Sequence, residues 1–170
     1  HNISNTEFRK IGKKYLKVKK KIVGYANNFY KKKLNLKTLA IHYRGTSYKT
    51  SANHPYPATN EQTINYIKYL LKKNKYKKIF LCTEDLSFYN AMKKSFKSNL
   101  IYMNSFRSFK DDAFKIYPRK MHRYKLGLEI LLEALIISKC HGFLHAITNV
   151  SMYVKYLDKK RSLKYFTIDN

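Results

Sequence analysis

Three short polar stretches in this chain carry the residue types needed to hold a phosphorylated ligand: Ile41-His42-Tyr43-Arg44-Gly45-Thr46, Thr83-Glu84-Asp85 and Thr148-Asn149-Val150-Ser151. Arg44 is a fork of donors matched to phosphate oxygens. Glu84 and Asp85 supply carboxylates that can orient such a cation. Thr148, Asn149 and Ser151 sit where a turn enters a helix, so their side chains and N–H groups can meet an anion. A fourth residue, Glu133, is a carboxylate on an otherwise apolar segment, where it needs a partner because a bare buried charge is costly. Each position also has a plain reading. Arg44 can make a surface ion pair, Glu84 and Asp85 can form a polar exit from a strand, and Thr148, Asn149 and Ser151 can simply cap a helix. Glu133 can pair with Lys125 or Lys139.

The elements that must position these residues follow from apolar spacing. Phe8, Ile11, Tyr15, Val18, Ile22, Tyr25 and Phe29 alternate three and four apart, which predicts one amphipathic helix over residues 6–33 packed by its stripe on a sheet. Thr38-Leu39-Ala40-Ile41 predicts a buried strand over 38–43, with Gly45 letting the chain turn away. Thr59 and Gln62 have capping-box spacing and open a helix over 60–73. Strands are expected at 79–82, 100–103, 143–146 and 165–168. Helices are expected at 87–97, 121–140 and 152–157, with a long polar loop over 104–120. Strand and helix alternate, which predicts an α/β fold: a single Rossmann-like layered domain over residues 1–170 with a mainly parallel sheet. The polar motifs follow strands one, two and four, so they share one sheet edge and converge on one crevice.

The motifs, in this order, resemble those of the fucosyltransferase superfamily that includes the α-1,6-fucosyltransferases and the nodulation fucosyltransferases. His42-Tyr43-Arg44 is similar to its His-x-Arg motif. Thr83-Glu84-Asp85 is similar to its acidic segment, and the run from Lys125 to Cys140 with the turn 148–151 is similar to its last block. The resemblance covers about residues 38–157. It implies the GDP-fucose-binding, C-terminal half of a GT-B-type glycosyltransferase that inverts at the sugar and uses no metal or other cofactor. It implies that His42 and Glu133 face guanine and that Arg44 meets the diphosphate. Thr46, Glu84, Asp85, Thr148, Asn149 and Ser151 complete the donor site. A second Arg and an Asp of the α-1,6 branch are replaced here by Gly45 and Ser47, which makes GDP-sugar transfer a firmer expectation than fucosylation. No carboxylate lies between Arg44 and Glu61, so His54 is the candidate general base. His54-Pro55 can equally be a rigid loop feature. The acceptor is expected to be a glycan hydroxyl. An acceptor domain is expected to precede this half, and a chain that starts at His1 fits a fragment.

Composition sets limits. The 170 residues carry a formal net charge of +26, yet only six of the 36 basic residues are Arg. Such a surface attracts anionic lipid, nucleic acid or sugar nucleotides in a salt-dependent way. Base bias of an AT-rich genome also fills solvated faces with Lys, and nucleic acid is not expected as the specific ligand. The alternatives are a basic nucleic-acid-binding α/β domain, with tyrosines stacking on bases, and a non-catalytic transferase remnant. The tyrosines are expected mostly in the core. Cys82 and Cys140 are expected as buried free thiols. No metal-ligand spacing is apparent, Asp111-Asp112 lacks partner ligands, and there is no Gly-x-Gly-x-x-Gly or Gly-Lys-Ser/Thr loop. His122, His141 and His145 read as structural. No apolar run is long enough to span a membrane, so a cytoplasmic or membrane-peripheral location, not secretion, is expected.

Overall fold

The computed structural model describes residues 5–34, 36–46, 58–111, 113–158 and 162–168. Helices α1 (Asn5–Tyr15) and α2 (Lys20–Lys33) lead into strand β1 (Thr38–Tyr43). There follow α3 (Asn60–Asn74), β2 (Lys78–Thr83), α4 (Leu86–Phe96), β3 (Leu100–Tyr102), α5 (His122–Ile137), β4 (Gly142–His145), α6 (Asn149–Leu157) and β5 (Lys164–Thr167). The sheet is parallel throughout, in the order β3-β2-β1-β4-β5. The chain builds outward from β1 to β3, then returns to add β4 and β5 on the other side. Where the order reverses, between β1 and β4, connections leave in opposite directions and open a crevice at the carboxyl ends of the strands.

Side-chain alternation along the strands divides the core into two layers. Ala40, Phe80, Cys82 and Phe143 face one side, where Ala26 of α2, Ile136 and Ile137 of α5 and Val154 of α6 cover them. Leu39, Ile41, Ile79, Leu81 and Leu144 face the other, under Ile67 of α3 and Phe88 and Met92 of α4. Both faces are covered, which is why the strands are continuous apolar runs. Cys82 and Cys140 are free thiols inside this core, and burial pushes both pKa values up.

The helix ends follow their sequence signals. Thr59 and Gln62 close a capping box at α3, with Gln62 N donating to Thr59 Oγ1 at 3.2 Å and Thr59 N donating to Gln62 Oε1 at 2.8 Å. Tyr43 stacks on Phe88, with ring centroids 3.8 Å apart, and its hydroxyl donates to the Ala58 carbonyl at 3.0 Å. That pair anchors the start of α3 to the end of β1.

Three expectations are corrected. The single helix over residues 6–33 is two helices, broken at residues 16–19. Lys13, Lys17 and Lys21 would stand at i,i+4 spacing in one helix, and like charges there weaken it. The apolar stripe also divides. Ile22, Phe29 and Tyr30 pack on the core with Ala26, whereas Ile11, Tyr15 and Leu16 are exposed. Gly45 does not serve a left-handed turn, since no described glycine has positive φ. It gives room instead: a Cβ there would lie 2.0 Å from Asp85 Oδ2. Finally, the tyrosines are less confined to the core than expected, because Tyr15, Tyr25, Tyr69, Tyr117 and Tyr124 are exposed.

Candidate functional site

At the switch point β1 and β4 end side by side, with His42 opposite His145 in register. A cleft opens beside them, walled by His42, Arg44 and Thr46 after β1, Thr83 and Glu84 after β2, and Ser105 and Phe106 after β3. Glu129 and Glu133 of α5 and Val150 of α6 complete it. Its volume is about 110 Å³, below the roughly 300–1,000 Å³ of a complete small-molecule pocket.

Arg44 sits at the rim with its side chain one-third exposed, and its Nε lies 3.6 Å from Glu84 Oε1. The same carboxylate oxygen accepts from Thr46 Oγ1 at 3.4 Å. Glu84 thus pairs with the arginine at the rim of the cleft. Burial raises the Glu84 pKa, and the Arg44 charge pulls it back. His42 lies deeper. Burial, then Arg44, then His145 hold its pKa down to about 3, so the imidazole is neutral at physiological pH. Its Nδ1 is buried without a hydrogen-bond partner, an uncommon condition for a buried polar atom.

Glu133 is the most unusual group in the cleft. Only 8% of the residue is exposed, and Ser105 Oγ donates to its Oε1 at 2.6 Å. Burial pushes its carboxyl up to about 7. The Ser105 hydrogen bond and the Arg107 charge oppose that rise, and Glu129 and Glu84 add to it. The lysine partners expected for it are replaced by this serine: Glu133 is buried, while Lys125 on the same helix is exposed and Lys139 lies beyond the end of α5. One turn earlier Glu129 is fully engaged: it accepts from both terminal nitrogens of Arg119 and from Phe106 N at 3.2 Å.

The other expected site residues are placed as follows. Asp85 is 2% exposed and caps α4, its Oδ1 accepting from Phe88 N at 3.0 Å. Thr148 and Ser151 form a capping box: Ser151 N donates to Thr148 Oγ1 at 3.1 Å, and Thr148 N donates to Ser151 Oγ at 2.9 Å. Both side chains are thereby engaged with each other, and Asn149 between them is exposed. Of this turn, Val150 reaches the cleft wall. His54 lies outside the described residues. His145 is fully buried, with its Nδ1 2.8 Å from the Ala146 carbonyl. The structure so brings together His42, Arg44, Thr46, Glu84 and Glu133, and gives Asp85, Thr148 and Ser151 capping contacts. Sequence reasoning missed Ser105, Phe106, Glu129 and the exposed Phe114 and Ile130 at the cleft mouth. The length of the 104–120 loop was the available signal for the first two, and the i,i+4 spacing of Glu129 to Glu133 for the third. Among the described residues no group of three or more His, Cys, Asp or Glu is gathered to hold a metal ion, and no helix is long and apolar enough to cross a membrane.

An open parallel sheet with a charged crevice at its switch point defines a Rossmann-like α/β domain. Among solved structures, the fold is similar to that of NodZ alpha-1,6-fucosyltransferase soaked with GDP-fucose, with a TM-score of 0.58 and 16% sequence identity over 91% of this chain and 47% of that one. It is similar to POFUT1 in complex with GDP, with a TM-score of 0.59 and 15% identity over 94% of this chain and 50% of that one. POFUT1 in complex with GDP-fucose gives a TM-score of 0.57 and 16% identity over 90% and 48% of the two chains. The chain spans about half the length of these structures. No family model matches it, and no curated protein matches it in sequence. At such identities the likeness is one of fold.

Proposed function

We propose that this chain is the donor-binding half of a glycosyltransferase that uses GDP-fucose or a related GDP-sugar. The observation that carries the reading is the presence of buried Glu133, neutral His42 and the rim cation Arg44 in one crevice at the switch point. A carboxylate accepts from N1 and N2 of guanine together, and adenine offers no such pair of donors. Neutral His42 adds an unpaired ring nitrogen beside it. Arg44, held by Glu84, meets the diphosphate and neutralises the charge that grows on GDP as the sugar bond breaks. Thr46 steadies Glu84, and Asp85 fixes the neighbouring start of α4. The N–H groups in the first turn of α6 have no intrahelical acceptors and add a positive end for phosphate oxygens.

In this reading the reaction is a single displacement with inversion. An acceptor hydroxyl attacks the sugar carbon opposite GDP, and the leaving-group charge is met by Arg44 without a metal. His54 is the proposed base, taking the hydroxyl proton. The small volume of the cleft and the half-length match to fucosyltransferases favour a second, acceptor-binding unit that completes the site. The acceptor is a glycan, and the Lys-rich faces suit an approach to an anionic membrane surface.

Calorimetric titration of GDP and ADP at physiological salt tests this. Binding selective for GDP, weakened in Arg44→Ala and lost in Glu133→Gln, is the expected result. Equal, weak and salt-sensitive binding of both nucleotides would overturn it. That outcome would favour the second reading, a basic surface for nucleic acid, for which the exposed Tyr15, Tyr69 and Tyr117 with cations over their rings speak.

A further inference from the structure

The loop that follows β3 is tied to α5 at two carboxylates. Phe106 N donates to Glu129, and Ser105 Oγ donates to Glu133 at 2.6 Å. Arg107 locks the same loop from the other side. Its two terminal nitrogens donate to the Met103 and Ser105 carbonyls, each at 2.9 Å, and its guanidinium stacks 4.4 Å from the Tyr89 ring centre. Ser105 is therefore held by its own backbone oxygen as well as by its hydroxyl. Its place opposite Glu133 is fixed before any ligand arrives.

We propose that Ser105 is a positioning residue for base recognition: by donating to one lone pair of Oε1 it fixes the plane of the Glu133 carboxylate, whose remaining acceptor sites meet guanine, so selectivity for guanine depends on a serine 28 residues away in sequence. The inference rests on the donor-site reading above and deepens it. A carboxylate reads guanine only when charged, because it must accept two hydrogen bonds. The groups that act on that charge come from every side. Glu129 on α5 and Glu84 after β2 oppose it, Arg107 on the loop favours it, and burial opposes it most. Cys82 of β2 feels Glu133 from below. Among the described residues Ser105 is the one group that favours the charged form by direct hydrogen bonding, and a hydroxyl donor does so only for an accepting oxygen.

The test is a pair of pH titrations on the full chain with Ser105→Ala and the conservative Ser105→Thr. In the free protein, the carboxyl carbon resonance of Glu133 is followed by NMR. In Ser105→Ala its midpoint should rise by about one pH unit, and in Ser105→Thr it should stay at the wild-type value. GDP affinity, measured by calorimetry between about pH 6 and pH 8.5, should rise with the ionisation of Glu133. At pH 6 Ser105→Ala should bind roughly tenfold more weakly, the equivalent of one unit; the gap should narrow to about fivefold at pH 7 and nearly close at the upper end. Ser105→Thr should follow wild type throughout. An unmoved midpoint in Ser105→Ala, or a loss of affinity that is the same at every pH, would overturn the inference. A midpoint that moves in a protein that binds no GDP at any pH would instead overturn the donor-site reading and leave the Ser105 control of Glu133 standing.

Discussion

The first turn of α6 and the middle of α5 present polar side chains to the same end of the sheet, and they keep them for different ends. Thr148 and Ser151 are occupied with one another, each closing the other's backbone N–H. Glu129 is likewise saturated by Arg119 and Phe106 N. Glu133, one turn on, has a single serine for a partner although it is buried. In the same cleft His42 has a buried Nδ1 with no partner among the described residues. The contrast teaches how to tell scaffold from site in this molecule. Groups whose hydrogen bonds are completed locally hold the backbone in place, whereas Glu133 and His42 are the cleft groups on which the proposed donor site draws.

The variant that should break this contrast most sharply is Glu133→Gln. It should lower GDP affinity by about a hundredfold, the usual scale for removing one member of a buried charged contact, and abolish preference over ADP. It should also stabilise the free protein. The folded carboxyl titrates at about 7 against an ordinary 4.5, so its contribution is fully present below pH 4.5 and is lost as pH rises through 7. The loss is roughly 3 kcal/mol. Thermal melts should therefore show Glu133→Gln above wild type at pH 8 and level with it at pH 4.5. His42 runs the other way. Its pKa is held down to about 3 from 6.5, so stability is present above pH 6.5 and lost as pH falls toward 3. In wild type the two slopes offset each other between pH 4.5 and 6.5, and Glu133→Gln should uncover the His42 loss in that range.

Arg44→Ala should come next, with GDP binding weakened roughly tenfold to a hundredfold, as expected for a charged hydrogen-bond donor. Guanosine without phosphates should bind wild type and variant alike. Gly45→Ala should leave the cleft chemistry in place but lower stability by about 1–3 kcal/mol, because the new Cβ meets Asp85 Oδ2 and strains the α4 cap. Denaturant titration reads this directly. The smallest effect is expected from Thr148→Ala: about 1 kcal/mol of stability, the common worth of an N-cap, with GDP affinity within twofold of wild type. A tenfold loss of affinity there would erase the distinction between the two regions.

Much of this was legible in the sequence because its signals are local. The strand β1 runs over the residues its apolar spacing predicts, the Thr59 and Gln62 box forms, and His42, Arg44 and Glu84 meet at one crevice because strand ends in a parallel sheet must, with Glu133 of α5 lining its side. What escaped depends on distant partners. Nothing in Ser105 or Arg107 signals that the loop folds back on α5, since the decisive hydrogen bond joins residues 28 apart. The break between α1 and α2 escaped as well, because the apolar stripe runs across it and only the stacking of lysines argues against one helix. Gly45 reads as a turn residue, and its actual role is to make room for Asp85. That also gives a physical reason why no larger side chain stands beside Arg44.

The pairing of β1 with β4 has a consequence in time. It joins residues 39–42 to residues 142–145, while β1 and β2 already pair over residues 38–83. Parallel pairings between distant segments form slowly, since the loop between them must close first. A chain emerging from its amino end holds β1 with one edge open until most of its length is made. The crevice lies on that last seam. A chain stopped before residue 142 can carry Arg44, Glu84 and Glu133 and still have no switch point, so the crevice forms only once β4 has docked beside β1.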